Sequence, residues 1–134
     1  MFLYSKILGH GHFLPKKILK NNDFLKFIDT SDEWIFSRTG IKQRHIASKN
    51  ELTSDLAIHA SKKALSSANL KSNQIDCVIL ATTTPDDTFP STATKVQNQL
   101  EMNIIPAFDV QAVCSGFIYS LQIADAMIRL VSFN

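Results

Sequence analysis

The spacing of apolar positions divides the chain into short alternating elements. Ser5 to His12 carries Ile7-Leu8 and runs into a glycine-rich turn before Pro15, the pattern of a first strand. Asn21 is placed to cap a short helix bearing Phe24, Leu25 and Ile28. Thr30-Ser31-Asp32-Glu33 has capping-box spacing, with a hydroxyl first and a carboxylate three residues on. A second short helix is therefore predicted through Arg38, with Gly40 as its stop. Lys42 to Ala47 is polar but β-capable and reads as an edge strand. The clearest helix begins at Thr53. Leu56, Ala60, Ala64, Leu65 and Ala68 fall at helical spacing, His59, Lys62, Lys63 and Ser66 lie off that stripe, and Asn69 ends it.

The second half alternates in the same way. Asp76 to Thr82 is a continuous apolar strand, the kind buried on both faces of a parallel sheet. Pro85 and Pro90 bracket a loop, and Ser91 or Thr92 caps a helix through Leu100. Pro106 to Val110 is another short strand, Cys114 lies in the turn after it, and a helix follows from Ser115. Phe117, Leu121, Ala124 and Ile128 share one face of that helix. Strands alternating with helices predict an α/β fold with right-handed crossovers.

Composition narrows the function classes. The 134 residues are 45% apolar and 19% charged, an ordinary balance for a globular domain rather than a disordered tail or fibre. Fourteen basic against twelve acidic side chains leave a formal net charge of +2, so there is no concentrated basic footprint for nucleic acid. The apolar opening stops at Ser5-Lys6, too short for a signal-peptide core. The longest apolar run, Cys77 to Ala81, is far short of the ~20 residues a spanning helix needs. Two cysteines fit a reducing compartment, so the cytoplasm is the expected address.

Chemistry concentrates at Cys114. In open α/β sheets, sites form at the carboxyl ends of strands. A cysteine between such a strand and a helix N-terminus gains from the helix dipole, which favours the nucleophilic thiolate, and neighbouring N–H groups can hold an oxyanion. The competing reading is a buried structural cysteine. Cys77, at the start of an apolar strand, reads as core. Trp34 and Arg38 are four residues apart and share a helix face. They form either a base-stacking platform with a phosphate-seeking charge or a cation–π pair closing over the core. Gly9-His10-Gly11 lacks the third glycine of a dinucleotide fingerprint. His10 and His12 have no third metal ligand nearby, and the acidic pairs Asp32-Glu33 and Asp86-Asp87 read as cap and turn.

Several segments, in order, carry a resemblance. They are Asp29-Thr30-Ser31-Asp32-Glu33-Trp34-Ile35, Arg38-Thr39-Gly40-Ile41, Arg44-His45-Ile46-Ala47, Ala81-Thr82-Thr83-Thr84, Phe89-Pro90-Ser91 and Pro106-Ala107-Phe108-Asp109-Val110, then Cys114-Ser115-Gly116-Phe117. Together the chain resembles β-ketoacyl-acyl-carrier-protein synthase III, the initiating condensing enzyme of fatty-acid synthesis, from about Ser5 to about Ile128. The resemblance implies an incomplete thiolase-like fold, most of the first of two similar α/β halves, with residues 1–134 as one truncated N-terminal half-domain. It implies that Cys114 is the nucleophile taking an acetyl group from acetyl-CoA, before decarboxylation of malonyl-acyl carrier protein supplies the attacking carbanion. It implies that Trp34 and Arg38 sandwich the CoA adenine with Thr30 in contact nearby, and that Phe89 reaches into a partner subunit's acyl pocket in a homodimer. Acetyl-CoA enters as substrate, acyl carrier protein as partner, and no cofactor or metal is implied.

The chain also departs from the family. It is less than half the family length, no histidine follows Cys114, and the only later asparagine is Asn134. The family's His and Asn that assist condensation lie beyond that point, so the isolated chain is expected to perform no condensation. The ending Arg129-Leu130-Val131-Ser132-Phe133-Asn134 is expected to be out of register, from a shifted or early-terminated frame. Val113 stands where small residues are usual. Two alternatives remain: a non-catalytic remnant or half of a split enzyme, and another thiolase-fold acyltransferase, against which the Trp34 and Arg38 segment argues.

Overall fold

The computed structural model describes residues 4–130. The chain divides into two compact units, residues 14–51 and residues 1–13 with 52–134.

In the smaller unit, β1 (Lys17–Lys20) pairs antiparallel with β2 (Gln43–Ile46), Lys17 opposite Ile46 and Lys20 opposite Gln43. The edge strand expected at Lys42–Ala47 is β2; its partner β1 lacked a clear periodic signal. Between them lie α1 (Asn21–Phe24) and α2 (Asp32–Thr39). Gly40 ends α2 as expected, at φ 70°, where its N–H donates to Phe36 O. Two capping expectations are corrected. The cap of α2 is Ser31 rather than Thr30, its Oγ accepting from Trp34 N at 3.0 Å. Asn21 caps nothing: it is the first residue of α1 and is buried, and Asp23 instead accepts from Lys20 N at 2.8 Å.

The larger unit is built on β3 (Val78–Ala81) and β4 (Ala107–Val110), paired parallel with Val78 opposite Ala107. The crossover is α4 (Thr92–Gln99), capped by Ser91. Before it runs α3 (Thr53–Ala68), ended by Asn69 at φ 54°, and after β4 runs α5 (Gly116–Leu130). Successive strand side chains point to opposite faces. Val78 shares a cavity wall with Ala64 and Val96 on the α3 and α4 side. Ile79 and Ala81 face α5. The core lies under α4, where Ala93, Val96 and Leu100 are buried together with Thr92.

Two expectations for this unit are corrected. Ser5 to His12 is not a strand: among the described residues no ladder partner pairs with it, and an isolated extended segment leaves its N–H and C=O groups unpaired. It is held instead by close approach to α3. A Cβ built on Gly9 would sit 2.7 Å from Ala68 Cβ, and one on Gly11 would sit 2.3 Å from Ala60 O. The strand expected at Asp76–Thr82 is present as Val78–Ala81 but is not covered on both faces, since Val78, Ile79 and Leu80 are only half-buried and Ala81 is exposed. The apolar stripe of α5 faces the sheet across a groove of about 570 Å³ and stays open, Phe117 being 67% and Leu121 43% exposed. Of the ending expected to be out of register, Arg129 and Leu130 continue α5, with Arg129 Nε 2.8 Å from Asp125; residues 131–134 lie outside the described residues.

The glycine contacts give a direct test. Gly11→Ala forces a methyl against the backbone of α3, so its urea midpoint should fall by the equivalent of about 1–3 kcal/mol, the usual cost of overpacking. An unchanged midpoint contradicts the packing described for residues 5–12.

Candidate active site

Cys114 is exposed and lies where strand gives way to helix. Its turn, Val113–Ser115, is a single 3₁₀ turn closed by Ser115 N donating to Ala112 O at 2.9 Å. Helix α5 therefore begins at Gly116, one residue later than Ser115. Two anchors fix the turn. On the strand side, Thr82 N donates to Val110 O at 3.1 Å, extending the parallel ladder to the last residue of β4. On the helix side, Gly116 is buried, and a Cβ there would stand 3.2 Å from Ala81 Cβ. A side chain at Gly116 would be tight against Ala81, and the start of α5 or Ala81 would have to give by a few tenths of an ångström. The turn is also strained. Val113 has φ 46°, a left-handed conformation that costs a β-branched residue on the order of 1–3 kcal/mol. Such strain gathers where a backbone is held for function, and here it directly precedes the sulfur. The buried-structural reading of Cys114 does not survive this exposure.

Asp109, five residues before Cys114, fixes the neighbouring loop. Its carboxylate accepts from Thr92 N and Ala93 N, both at 2.8 Å, so it closes the first turn of α4. A carboxylate is favourable at a helix N-terminus because the N–H groups there lack intrahelical partners. Strand β4 thus holds both the cysteine turn and the loop ending in Phe89-Pro90-Ser91. Phe89, on that loop, is 89% exposed and projects from the unit. A second carboxylate, Asp86, is buried in the same loop. It accepts from Ser54 N at 3.0 Å at the start of α3, and Lys95 Nζ lies 3.5 Å away. Burial opposes its charge, but the Ser54 hydrogen bonds and Lys95 prevail and hold its pKa below the ordinary carboxylate value. Asp87 pairs with the same lysine.

Trp34, Arg38 and Thr30 lie in the smaller unit. Ser31 and Gly40 bound α2, so Trp34 and Arg38 sit one turn apart and the guanidinium carbon lies 5.7 Å from the indole centroid. Trp34 is 58% exposed, so the pair does not close over a core. It offers an accessible aromatic face beside a fixed positive charge, a combination suited to a nucleobase with a nearby phosphate. Thr30 Oγ1 is buried and has no hydrogen-bond partner among the described residues. The structure brings Trp34 and Arg38 together. It places Cys114 and Phe89 in the other unit.

The remaining candidates have other roles. Cys77 is half-buried, and burial pushes its thiol pKa up. His59 stacks on Phe13 with ring centroids 4.5 Å apart, and His45 Nδ1 lies 2.6 Å from Pro15 O. No group of three metal-ligating side chains occurs among the described residues. None of the helices described is long and apolar enough to cross a membrane. Sequence reasoning missed the role of Asp109 and read Asn21 as a helix cap. An aspartate inside a short strand was a usable signal for the first, since aspartate is depleted in strands.

Comparison with known proteins places these features. The family model described as 3-oxoacyl-[acyl-carrier-protein] synthase III matches residues 108–134, which include Cys114. The beta-ketoacyl-[acyl-carrier-protein] synthase III of Ehrlichia canis is 58% identical over 125 residues, 93% of this chain and 39% of that protein. The crystal structure of 3-oxoacyl-[acyl-carrier-protein] synthase III from Aquifex aeolicus superposes with a TM-score of 0.87 at 52% identity, covering 93% of this chain and 40% of that one. The priming β-ketosynthase of the R1128 polyketide pathway superposes with a TM-score of 0.86 at 31% identity, covering 92% of this chain and 37% of that one. The chain thus spans about two fifths of the length of the relatives it matches.

The two thiols should differ in reactivity. Alkylation by iodoacetamide near neutral pH, followed by mass spectrometry, should label Cys114 about tenfold or more faster than Cys77, because Cys114 is exposed while Cys77 is half-buried and burial raises its thiol pKa. Labelling of Cys77 first contradicts the geometry described for the turn.

Proposed function

We infer, for a chain similar in sequence and fold to about two fifths of β-ketoacyl-[acyl-carrier-protein] synthase III, that it supplies the acyl-accepting and CoA-binding groups of fatty-acid initiation. The observation that carries this reading is the exposed Cys114 at the β4–α5 junction. In the first half-reaction the Cys114 sulfur, as thiolate, attacks the thioester carbonyl of acetyl-CoA. A carbon–sulfur bond to Cys114 forms and the tetrahedral oxyanion collapses. The bond to the CoA sulfur then breaks, and CoA leaves as a thiolate that takes up a proton. In the complete reaction, decarboxylation of malonyl-acyl carrier protein would supply a carbanion that attacks the acyl-cysteine and yields 3-oxoacyl-acyl carrier protein.

Trp34 and Arg38 take the adenine and a phosphate of CoA in this reading, supported by their exposure and mutual packing, with the unpartnered Thr30 hydroxyl as a further contact. Phe89 would serve the acyl pocket of a second copy in a homodimer, supported by its projection from the unit. No cofactor or metal takes part, acyl carrier protein is the partner, and the cytoplasm, where both thiols stay reduced, is the location. The 31% identity to the R1128 ketosynthase, against 58% to the Ehrlichia canis enzyme, favours the fatty-acid reading over an acyltransferase of another pathway.

One observation favours a second reading, in which the chain works with a separate polypeptide. The apolar stripe of α5 is open to solvent, and Ser120 Oγ on that helix is buried with no hydrogen-bond partner among the described residues. A contiguous apolar face of this kind marks an association surface.

Incubation with acetyl-CoA and mass spectrometry tests the primary reading. One acetyl group should appear on Cys114 and be lost in Cys114→Ala. Trp34→Ala or Arg38→Ala should raise the acetyl-CoA needed about tenfold, equivalent to ~1.4 kcal/mol of binding. No adduct, or an adduct on Cys77 alone, refutes the reading. Condensation with malonyl-acyl carrier protein only when a polypeptide resembling the rest of the relatives is co-expressed would establish the second reading.

A further inference from the structure

The smaller unit holds its nucleotide-facing helix by one buried amide. Of its described residues only Pro15, Asn21 and Ile35 are buried, so apolar packing alone does little to fix α2. Asn21 Nδ2 donates one hydrogen bond to Asp32 Oδ1 at 2.7 Å and another to Ile41 O at 2.7 Å. Asp32 is the first residue of α2, and Ile41 follows Gly40, the residue that caps its other end. The two N–H bonds of a single amide therefore reach both ends of the helix that carries Trp34 and Arg38. The amide oxygen accepts from Arg44 Nη1 on β2, and the Asn21 backbone N–H donates to Lys42 O at 3.3 Å. The Arg44 guanidinium also lies 4.7 Å from the Phe24 ring centroid, which ties α1 to the same point.

We propose that Asn21 is a positioning residue for acyl-CoA recognition, setting the Trp34 and Arg38 platform by stapling both ends of α2 to β2. The proposal rests on the reading that this pair takes the CoA nucleotide. Only asparagine among the small polar residues supplies two donors and an acceptor from one short planar group. Aspartate in its place has no N–H for Asp32 or Ile41 and would set two carboxylates against each other. Alanine leaves the Asp32 carboxylate, the Ile41 carbonyl and the Arg44 guanidinium without the partner that the buried Asn21 amide gives them, so the two ends of α2 lose their common tie.

Trp34 is the single tryptophan of the chain, so its fluorescence reports directly on the platform. The full chain is titrated with CoA, and quenching of Trp34 emission gives the dissociation constant. The wild-type chain should show saturable quenching. Asn21→Ala should weaken binding about tenfold or more, while its far-UV circular dichroism and the alkylation rate of Cys114, in the other unit, remain as in the wild type. Asp32→Asn keeps an acceptor oxygen for the Asn21 amide and should retain wild-type affinity, whereas Asp32→Ala should lose it as Asn21→Ala does. This second pair decides the matter if Asn21→Ala does not fold. Wild-type affinity in Asn21→Ala, or equal loss in Asp32→Asn and Asp32→Ala, overturns the positioning role while leaving the platform standing. Absence of any response in the wild-type chain overturns the nucleotide reading, and the positioning role with it.

Discussion

Two backbone N–H groups at the start of α4, those of Thr92 and Ala93, end on the single carboxylate of Asp109. The rest of the larger unit depends on that arrangement. Asp109 belongs to β4, whose parallel ladder with β3 extends to Thr82 N on Val110 O. The carboxylate therefore locks the crossover helix onto the strand that leads into the Cys114 turn. Thr92 and Ala93 are buried, so their N–H groups have no access to water as a substitute partner. With α4 held in place, Val96 and Leu100 can form the small core beneath it. The turn beyond β4 can then carry the left-handed Val113 at a cost the surrounding ladder and helix start sustain.

Much of this architecture was legible from local signals. Helix α3 announced itself through apolar positions on one stripe and the Asn69 stop, and both appear in the structure. Gly40 marked the end of α2 because only a left-handed residue closes a helix there without steric cost. The junction at Cys114 followed from a short apolar strand before a helical stripe. What escaped were features decided by distant partners. Ser5 to His12 looks like a strand by composition, but a strand exists only with a ladder beside it. Its Gly9 and Gly11 serve close packing on α3 instead. Asn21 looks like a cap because its side chain suits one, yet the amide is spent on Asp32, Ile41 and Arg44, contacts that span up to 23 positions of sequence. The one-residue shift from Thr30 to Ser31 reflects two adjacent hydroxyls competing for one cap.

The candidate site divides in the same way. The Trp34–Arg38 pairing is local, set by helical spacing, and so readable in advance. The strain at Val113 is not, since a backbone angle has no signature in one sequence, and the clamp at Asp109 is signalled only by the presence of an aspartate inside a strand, without its partners. Among the described residues, Thr30 Oγ1 and Ser120 Oγ are buried without a hydrogen-bond partner, the first just before α2 and the second on α5 beside the open apolar groove. The strand-to-helix junction at Cys114 and the Trp34–Arg38 pair are separate, locally supported pieces.

The Asp109 clamp holds the turn on which the proposed acyl-accepting role of Cys114 depends. Amide hydrogen exchange on Thr92 and Ala93, measured beside acetylation of Cys114 in the native chain and in Asp109→Ala, tests it most directly. The account predicts protected amides and acetylation in the native chain, with protection lost and acetylation about tenfold slower in the variant, the scale of a lost charge-assisted hydrogen bond. Full acetylation in a variant whose Thr92 and Ala93 amides exchange freely would contradict it.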